Sequence, residues 1–121
     1  MIYESIVTKI GEDVEDFLEE KMVVLFNENV PEELTSIALV HEEKEMNGEV
    51  NAGDYFVLGD VKYKVLAVGN KANETLHELG HCTIKFSVPA EDDLPGTIVV
   101  EDKAIPELVA GLAIKFEKSA E

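Results

Sequence analysis

The side chains of this 121-residue chain that first call for a chemical explanation are its three histidines, His41, His77 and His81, while the single cysteine, Cys82, gives no metal-ligand cluster by itself. An unperturbed histidine, with a pKa of about 6.5, serves near neutral pH as a nucleophile or a proton carrier. Nucleophilic attack needs a neutral ring with one nitrogen free, and a hydrogen bond at the other nitrogen fixes that tautomer. His41 ends the apolar run that follows Thr35, and the chain turns acidic directly after it through Glu42, Glu43 and Glu45. His77-Glu78-Leu79-Gly80-His81 matches H-E-x-x-H, in which two histidines one helical turn apart hold zinc and the glutamate activates water. That chemistry requires one continuous helix. Gly80 interrupts it, a strand-forming run starts at Cys82, and no later histidine offers a third ligand. His77 therefore reads as an exposed helix residue, and no metal or cofactor is expected. His81 would share the polar face of a strand with Thr83 and Lys85, in either a catalytic role or a structural one closing the Gly80 turn.

The elements that would position these groups are mostly short strands. Ile2 to Ile10 alternates apolar and polar residues and stops at Gly11. Glu12 to Lys21 carries Val14, Phe17 and Leu18 at helical spacing, a narrow apolar stripe on an acidic helix. Met22 to Phe26 reads as a strand, and Ser36 to Val40 as a buried one that puts His41 at its mouth, facing solvent. Replacing His41 should then leave the fold intact, since a side chain there fills little core volume. Glu42 to Gly53 has the composition of a loop or exposed hairpin. Tyr55–Leu58, Gly59-Asp60 and Val61–Val68 read as a hairpin. Asn73 is a candidate cap for a short helix over Glu74–Leu79 that Gly80 terminates. Strands are expected over Cys82–Val88, Thr97–Glu101 and Ala113–Phe116, before a charged tail expected to fray. The sum is a mainly β fold: an antiparallel β-barrel or sandwich of short strands with one or two short helices, in a single domain over residues 1–121.

Composition narrows the partners. The chain carries 26 acidic against 10 basic residues, a formal charge of -16. Nucleic acid binding needs clustered Lys and Arg, so it is not expected. A basic protein partner fits the field, as does acidity that serves solubility alone. A single cysteine excludes an internal disulfide and suits a reducing compartment. The first residues lack the pattern of a secretory signal, and no apolar run reaches membrane-spanning length, so a cytoplasmic, soluble protein is expected.

Several pieces, in order, resemble a known family: the strand ending at His41, Asn47-Gly48 and Ala52-Gly53, the segment Tyr63-Lys-Val-Leu-Ala-Val-Gly69, Glu78-Leu79-Gly80-His81, Pro95-Gly96-Thr97 and the final Leu112 to Glu117. Together they are similar to the glucitol/sorbitol-specific IIA component of the bacterial phosphotransferase system. The resemblance implies a phosphoryl carrier that takes its group from the histidine-containing phosphocarrier protein and passes it to the IIB domain of a sugar permease. It maps the phosphorylated histidine to His41. The family often reads His-x-His there, whereas this chain has His41-Glu42-Glu43, so no second histidine at that position carries over. His81 matches the family's Leu-Gly-His element, which implies a place near the site. Transfer between histidines depends mainly on positioning and electrostatics, and the chain has no nucleotide-binding loop. Glu42, Glu43 and Glu45 would repel phosphate and are expected to face outward. The alternatives are a small zinc hydrolase using His77, Glu78 and His81, and a non-catalytic acidic interaction module.

Overall fold

Every strand of the barrel is paired on both sides. The computed structural model describes residues 1–119, and these form a closed eight-stranded barrel with two short α-helices. The strands are β1 (Tyr3–Ile10), β2 (Met22–Asn27), β3 (Ala38–His41), β4 (Tyr55–Leu58), β5 (Val61–Val68), β6 (Cys82–Phe86), β7 (Thr97–Val100) and β8 (Ala113–Glu117). The helices are α1 (Val14–Leu18) and α2 (Ala72–Leu79), and a 3-10 helix covers Glu32–Ile37. Around the barrel the order is β1-β3-β2-β6-β7-β5-β4-β8. Closure leaves no free sheet edge to template aggregation.

Alternation fixes the inward face where one side of a strand meets solvent. In β1, Tyr3, Ser5 and Val7 are buried while Glu4, Ile6 and Thr8 are exposed. The core they join is aromatic at its centre, with the Phe56 ring centroid 5.1 Å from that of Phe116 and the Tyr63 centroid 5.0 Å from that of Phe86. Burying such rings is the main stabilising term in a barrel of this size.

Six neighbouring pairs are antiparallel, as expected, but β2–β3 and β6–β7 are parallel. The physical reason lies in the connections. Segments 28–37 and 87–96 are long enough to carry the chain back to the barrel end it left, so the next strand starts in the same direction. The first of these segments also shortens the central strand at its start. Ser36 and Ile37 belong to the 3-10 helix after Pro31, and β3 starts at Ala38. That helix and its approach cover the outer face of β2 and β3: Val30 and Leu34 pack on Phe26, Ala38 and Val40. All four residues of β3 are consequently buried.

Other boundaries shift for local reasons. The first helix is shorter than its stripe, because Lys21 takes a left-handed turn, φ 60°, to enter β2. Asn73 does not cap α2; Lys71 occupies that position. The Asn73 amide instead bridges the backbone of Val50, accepting from its N–H at 2.7 Å and donating to its carbonyl at 3.0 Å. This clamps the irregular segment 42–54 onto the helix. The tail is held as far as it is described: Lys118 Nζ lies 3.4 Å from the Asp54 carboxylate and the Ser119 N–H donates to it at 3.0 Å. Residues 120–121, the rest of the tail expected to fray, lie outside the described residues. Among those described, no helix is long and apolar enough to cross a membrane.

Candidate functional site

Parallel pairing of β2 with β3 sets Asn27 beside His41, and antiparallel pairing of β2 with β6 sets Leu25 beside Cys82. One end of the barrel therefore gathers the last residues of β2 and β3 and the residue before β6. The C-terminus of α2 closes over them. Gly80 ends that helix in the left-handed region, φ 60°, and lies so close to the strands that a Cβ on it would stand 2.7 Å from His41 Cε1 and 2.9 Å from Asn27 Cβ. Only glycine fits there without displacing a neighbour.

His41 lies beneath this turn, not at an open strand mouth. Its side chain is 0% exposed, which corrects the solvent-facing position expected from sequence. Its Nε2 donates to the Gly80 carbonyl at 2.8 Å. Its Nδ1 stands 3.0 Å from the Glu42 carbonyl and 3.4 Å from the Tyr3 hydroxyl, whose ring meets the imidazole edge-on at 5.7 Å. Carbonyls face both ring nitrogens, so a ring bearing N–H on both makes both bonds, and a neutral ring makes only one of them. Burial pushes the Tyr3 hydroxyl up to about 12, so it stays protonated and able to donate to a bare Nδ1. The fold also depends on this ring. Removing it strands the Gly80 carbonyl, at a cost of about 1–3 kcal/mol for an unpaired buried group, contrary to the expectation that substitution here is silent.

His81 is built differently. Its Nδ1 donates to the Leu25 carbonyl at 2.9 Å, and its ring stacks on Phe26 with centroids 4.5 Å apart and planes inclined by 29°. A carbonyl can only accept, so the proton is on Nδ1 and, in the neutral ring, the lone pair is on Nε2. Among the described residues Nε2 has no hydrogen-bond partner, and no buried side-chain nitrogen or oxygen is left unpartnered, so Nε2 meets solvent. The Thr75 hydroxyl donates to the His81 carbonyl at 2.7 Å and ties the residue to α2. Thr83 and Lys85 are half-buried beside it on the polar face of β6, as the alternation predicts.

His77 is exposed on α2, and the helix stops at Leu79. His77 and His81 thus do not share the continuous helix that H-E-x-x-H requires. Among the described residues, no group of three or more His, Cys, Asp and Glu side chains is arranged to hold a metal ion. Cys82 is buried, and burial pushes its thiol up to about 12, which removes it as a nucleophile at neutral pH. Glu43 and Glu45 are exposed, while Glu42 is half-buried and pairs with Lys44 at 3.4 Å. Sequence reasoning missed Tyr3 and Asn27 as neighbours of the site, because both reach it through long-range strand pairing that no local pattern records.

Along residues 2–115 the chain matches the family described as the PTS system glucitol/sorbitol-specific IIA component. It belongs to that family. The PTS system glucitol/sorbitol-specific EIIA components of Shigella flexneri and of Escherichia coli strain K12 are each 35% identical over 121 residues, covering 100% of this chain and 98% of theirs. A crystal structure of a PTS system IIA component from Enterococcus faecalis V583 superposes with a TM-score of 0.82 at 25% identity, covering 95% of this chain and 99% of that one. The barrel is thus a IIA fold, and phosphotransferase activity and sugar transport are the general business of its family.

Proposed function

We propose that this protein is a soluble, cytoplasmic phosphoryl carrier in the uptake of a hexitol. It accepts a phosphoryl group on a histidine from the histidine-containing phosphocarrier protein and passes it to the IIB domain of a glucitol/sorbitol permease. One observation supports this above the others: in a member of this family, two histidines flank the same glycine turn, each tied through a ring nitrogen to a backbone carbonyl. Transfer of this kind needs a ring held in one tautomer and little further covalent chemistry from the protein. The resemblance assigns acceptance to His41, and in the closed conformation that assignment requires the Gly80 turn or segment 42–46 to lift away.

The test is incubation of the full chain with enzyme I, the phosphocarrier protein and phosphoenolpyruvate. Stoichiometric phosphate, labile to acid and discharged by the permease IIB domain, is the expected result. A chain that takes up no phosphate from the phosphorylated carrier refutes the function, and leaves the acidic interaction module as the reading to pursue.

A further inference from the structure

We propose that Tyr3 is a positioning residue whose hydroxyl interlocks the His41 ring with the segment that covers it: closure of residues 42–47 and the Nε2-protonated tautomer of His41 hold each other in place, and release of one releases the other. The use of this interlock in phosphoryl transfer rests on the carrier reading above; the interlock itself does not.

Segment 42–47 has no helix or strand of its own and is laid along β1 and the residue before it by hydrogen bonds. The Glu42 N–H donates to the Ile6 carbonyl at 3.1 Å, the Ser5 hydroxyl to the Glu42 carbonyl at 2.8 Å, the Lys44 N–H to the Tyr3 hydroxyl, and the Asn47 N–H to the Ile2 carbonyl at 2.8 Å. Met46 adds one apolar anchor in the core. Cover of this kind opens at a lower free energy than the paired strands beneath it. Of the side chains that pin it, Tyr3 also reaches the catalytic ring, with its hydroxyl 3.4 Å from His41 Nδ1.

The bonding pattern around the ring places its proton. The Tyr3 oxygen accepts from Lys44, which leaves the hydroxyl proton for Nδ1. The Glu42 carbonyl, 3.0 Å from Nδ1, already receives the Ser5 hydroxyl and needs no proton from the ring. The Gly80 carbonyl receives Nε2–H at 2.8 Å. With the proton on Nε2 all of these groups are paired, whereas a proton on Nδ1 would turn the Tyr3 hydroxyl away and leave the Gly80 carbonyl facing a lone pair. The closed ring thus offers no lone pair to a donor protein. Lifting the segment withdraws Glu42 and Lys44 together, frees the Tyr3 hydroxyl to turn, and lets the ring exchange its proton. A coupling of this sort is reciprocal, so loss of the hydroxyl must loosen both the ring and the segment.

The experiment compares the full-length wild type with Tyr3→Phe, which keeps the buried ring and removes only the hydroxyl. Nitrogen NMR of the neutral His41 ring is expected to show Nε2–H alone in the wild type and a second population protonated on Nδ1 in the variant, a signature that a purely space-filling role for Tyr3 would not move. Hydrogen exchange at the Glu42 and Asn47 amides, whose own acceptors are untouched, is expected to quicken by about two- to tenfold, the factor one net hydrogen bond is worth, beyond any change at the β6 amides that report global unfolding. Phosphoryl uptake from the phosphocarrier protein, gated by the same opening, is expected to rise by the same factor. A wild-type ring protonated on Nδ1, a tautomer unchanged in Tyr3→Phe, or segment amides that exchange no faster overturns the interlock whatever the uptake assay shows. Uptake that does not rise in Tyr3→Phe overturns its control over transfer. A wild type that takes up no phosphate refutes the carrier function and leaves the interlock to be decided by the spectra and the exchange rates.

Discussion

Gly80→Ala is the substitution that most directly probes the site, because one methyl group would meet both His41 on β3 and Asn27 on β2. The residue sits at φ 60°, and its new Cβ would fall 2.7 Å from His41 Cε1, 3.1 Å from His41 Nε2 and 2.9 Å from Asn27 Cβ. Holding a non-glycine residue in the left-handed region costs about 1–2 kcal/mol. Overpacking a fully buried ring adds about 1–3 kcal/mol, since His41 and Asn27 sit on paired strands that yield little. The total, roughly 2–5 kcal/mol, is a large part of the 5–15 kcal/mol that stabilises a typical domain, and should lower Tm by roughly 10 °C. Gly48 supplies the control. It also has a positive φ, 103°, but nothing lies within 4 Å of its would-be Cβ, so Gly48→Ala carries the backbone term alone. Urea denaturation of both variants isolates the clash, and phosphoryl uptake from the phosphocarrier protein reads its effect on the histidines. If Gly80→Ala is no less stable than Gly48→Ala, or accepts phosphate at the wild-type rate, the turn does not hold the site and the reasoning fails.

Three further outcomes are expected. Burial alone would raise the Asp54 carboxyl, but the N–H groups of Ser119 and Asn51 and the Lys118 ammonium outweigh it and hold the group below its usual range; its stabilising effect is therefore present above the ordinary carboxylate pKa and lost as pH falls through the depressed value. Asp54→Asn should then cost about 1–3 kcal/mol at pH 7 and progressively less in acid, and equal destabilisation at pH 7 and pH 2 in urea titrations would contradict this. Burial raises the Cys82 thiol from 9.0 and the Tyr3 hydroxyl from 10.0 to about 12 each, so their contribution is complete below pH 9 and is lost as pH climbs toward 12; Cys82→Ala should flatten the alkaline fall in stability, and an unchanged slope would exclude the thiol as a cause. A net charge of -16 steers a basic donor surface, so phosphoryl uptake should slow as salt rises from about 0.05 to 0.5 M, and a rate indifferent to salt would rule out steering.

Much of the fold was legible because it is local. The hairpin of β4 and β5 occupies the residues its alternation and Gly59-Asp60 turn announce, and Gly80 ends α2 where a glycine after a helical stripe should. The parallel pairs were not legible, since strand direction depends on where a connection crosses the barrel, and the composition of 28–37 and 87–96 is that of any turn. The burial of His41 was half-written. Ala38-Leu39-Val40 does not alternate, the pattern of a strand covered on both faces, and His41 continues that strand without a break. Reading the run as a strand while leaving its end open to solvent overlooked that consequence. What covers the outer face, Val30 and Leu34, comes from a turn whose packing no periodicity predicts.

The two histidines illustrate why residue type and position in the sequence cannot assign a nucleophile. Both follow apolar or glycine-ended segments, both lie at strand ends, and both give one N–H to a main-chain carbonyl. The difference is which nitrogen is committed and what surrounds the other. At His41 the other nitrogen, Nδ1, faces the carbonyl of the adjacent Glu42 at 3.0 Å and the Tyr3 hydroxyl at 3.4 Å, inside a site closed to solvent. At His81 the committed nitrogen is Nδ1, leaving Nε2, the one farther from the main chain, directed at solvent. Reaching the first ring from outside requires breaking the Gly80 contact or lifting segment 42–46, because His41 is fully buried beneath them. Such an opening would make uptake at His41 depend on the stability of the turn. Mild urea, below the unfolding transition, should therefore accelerate acceptance at His41, and a rate that only falls as urea is added would refute the opening.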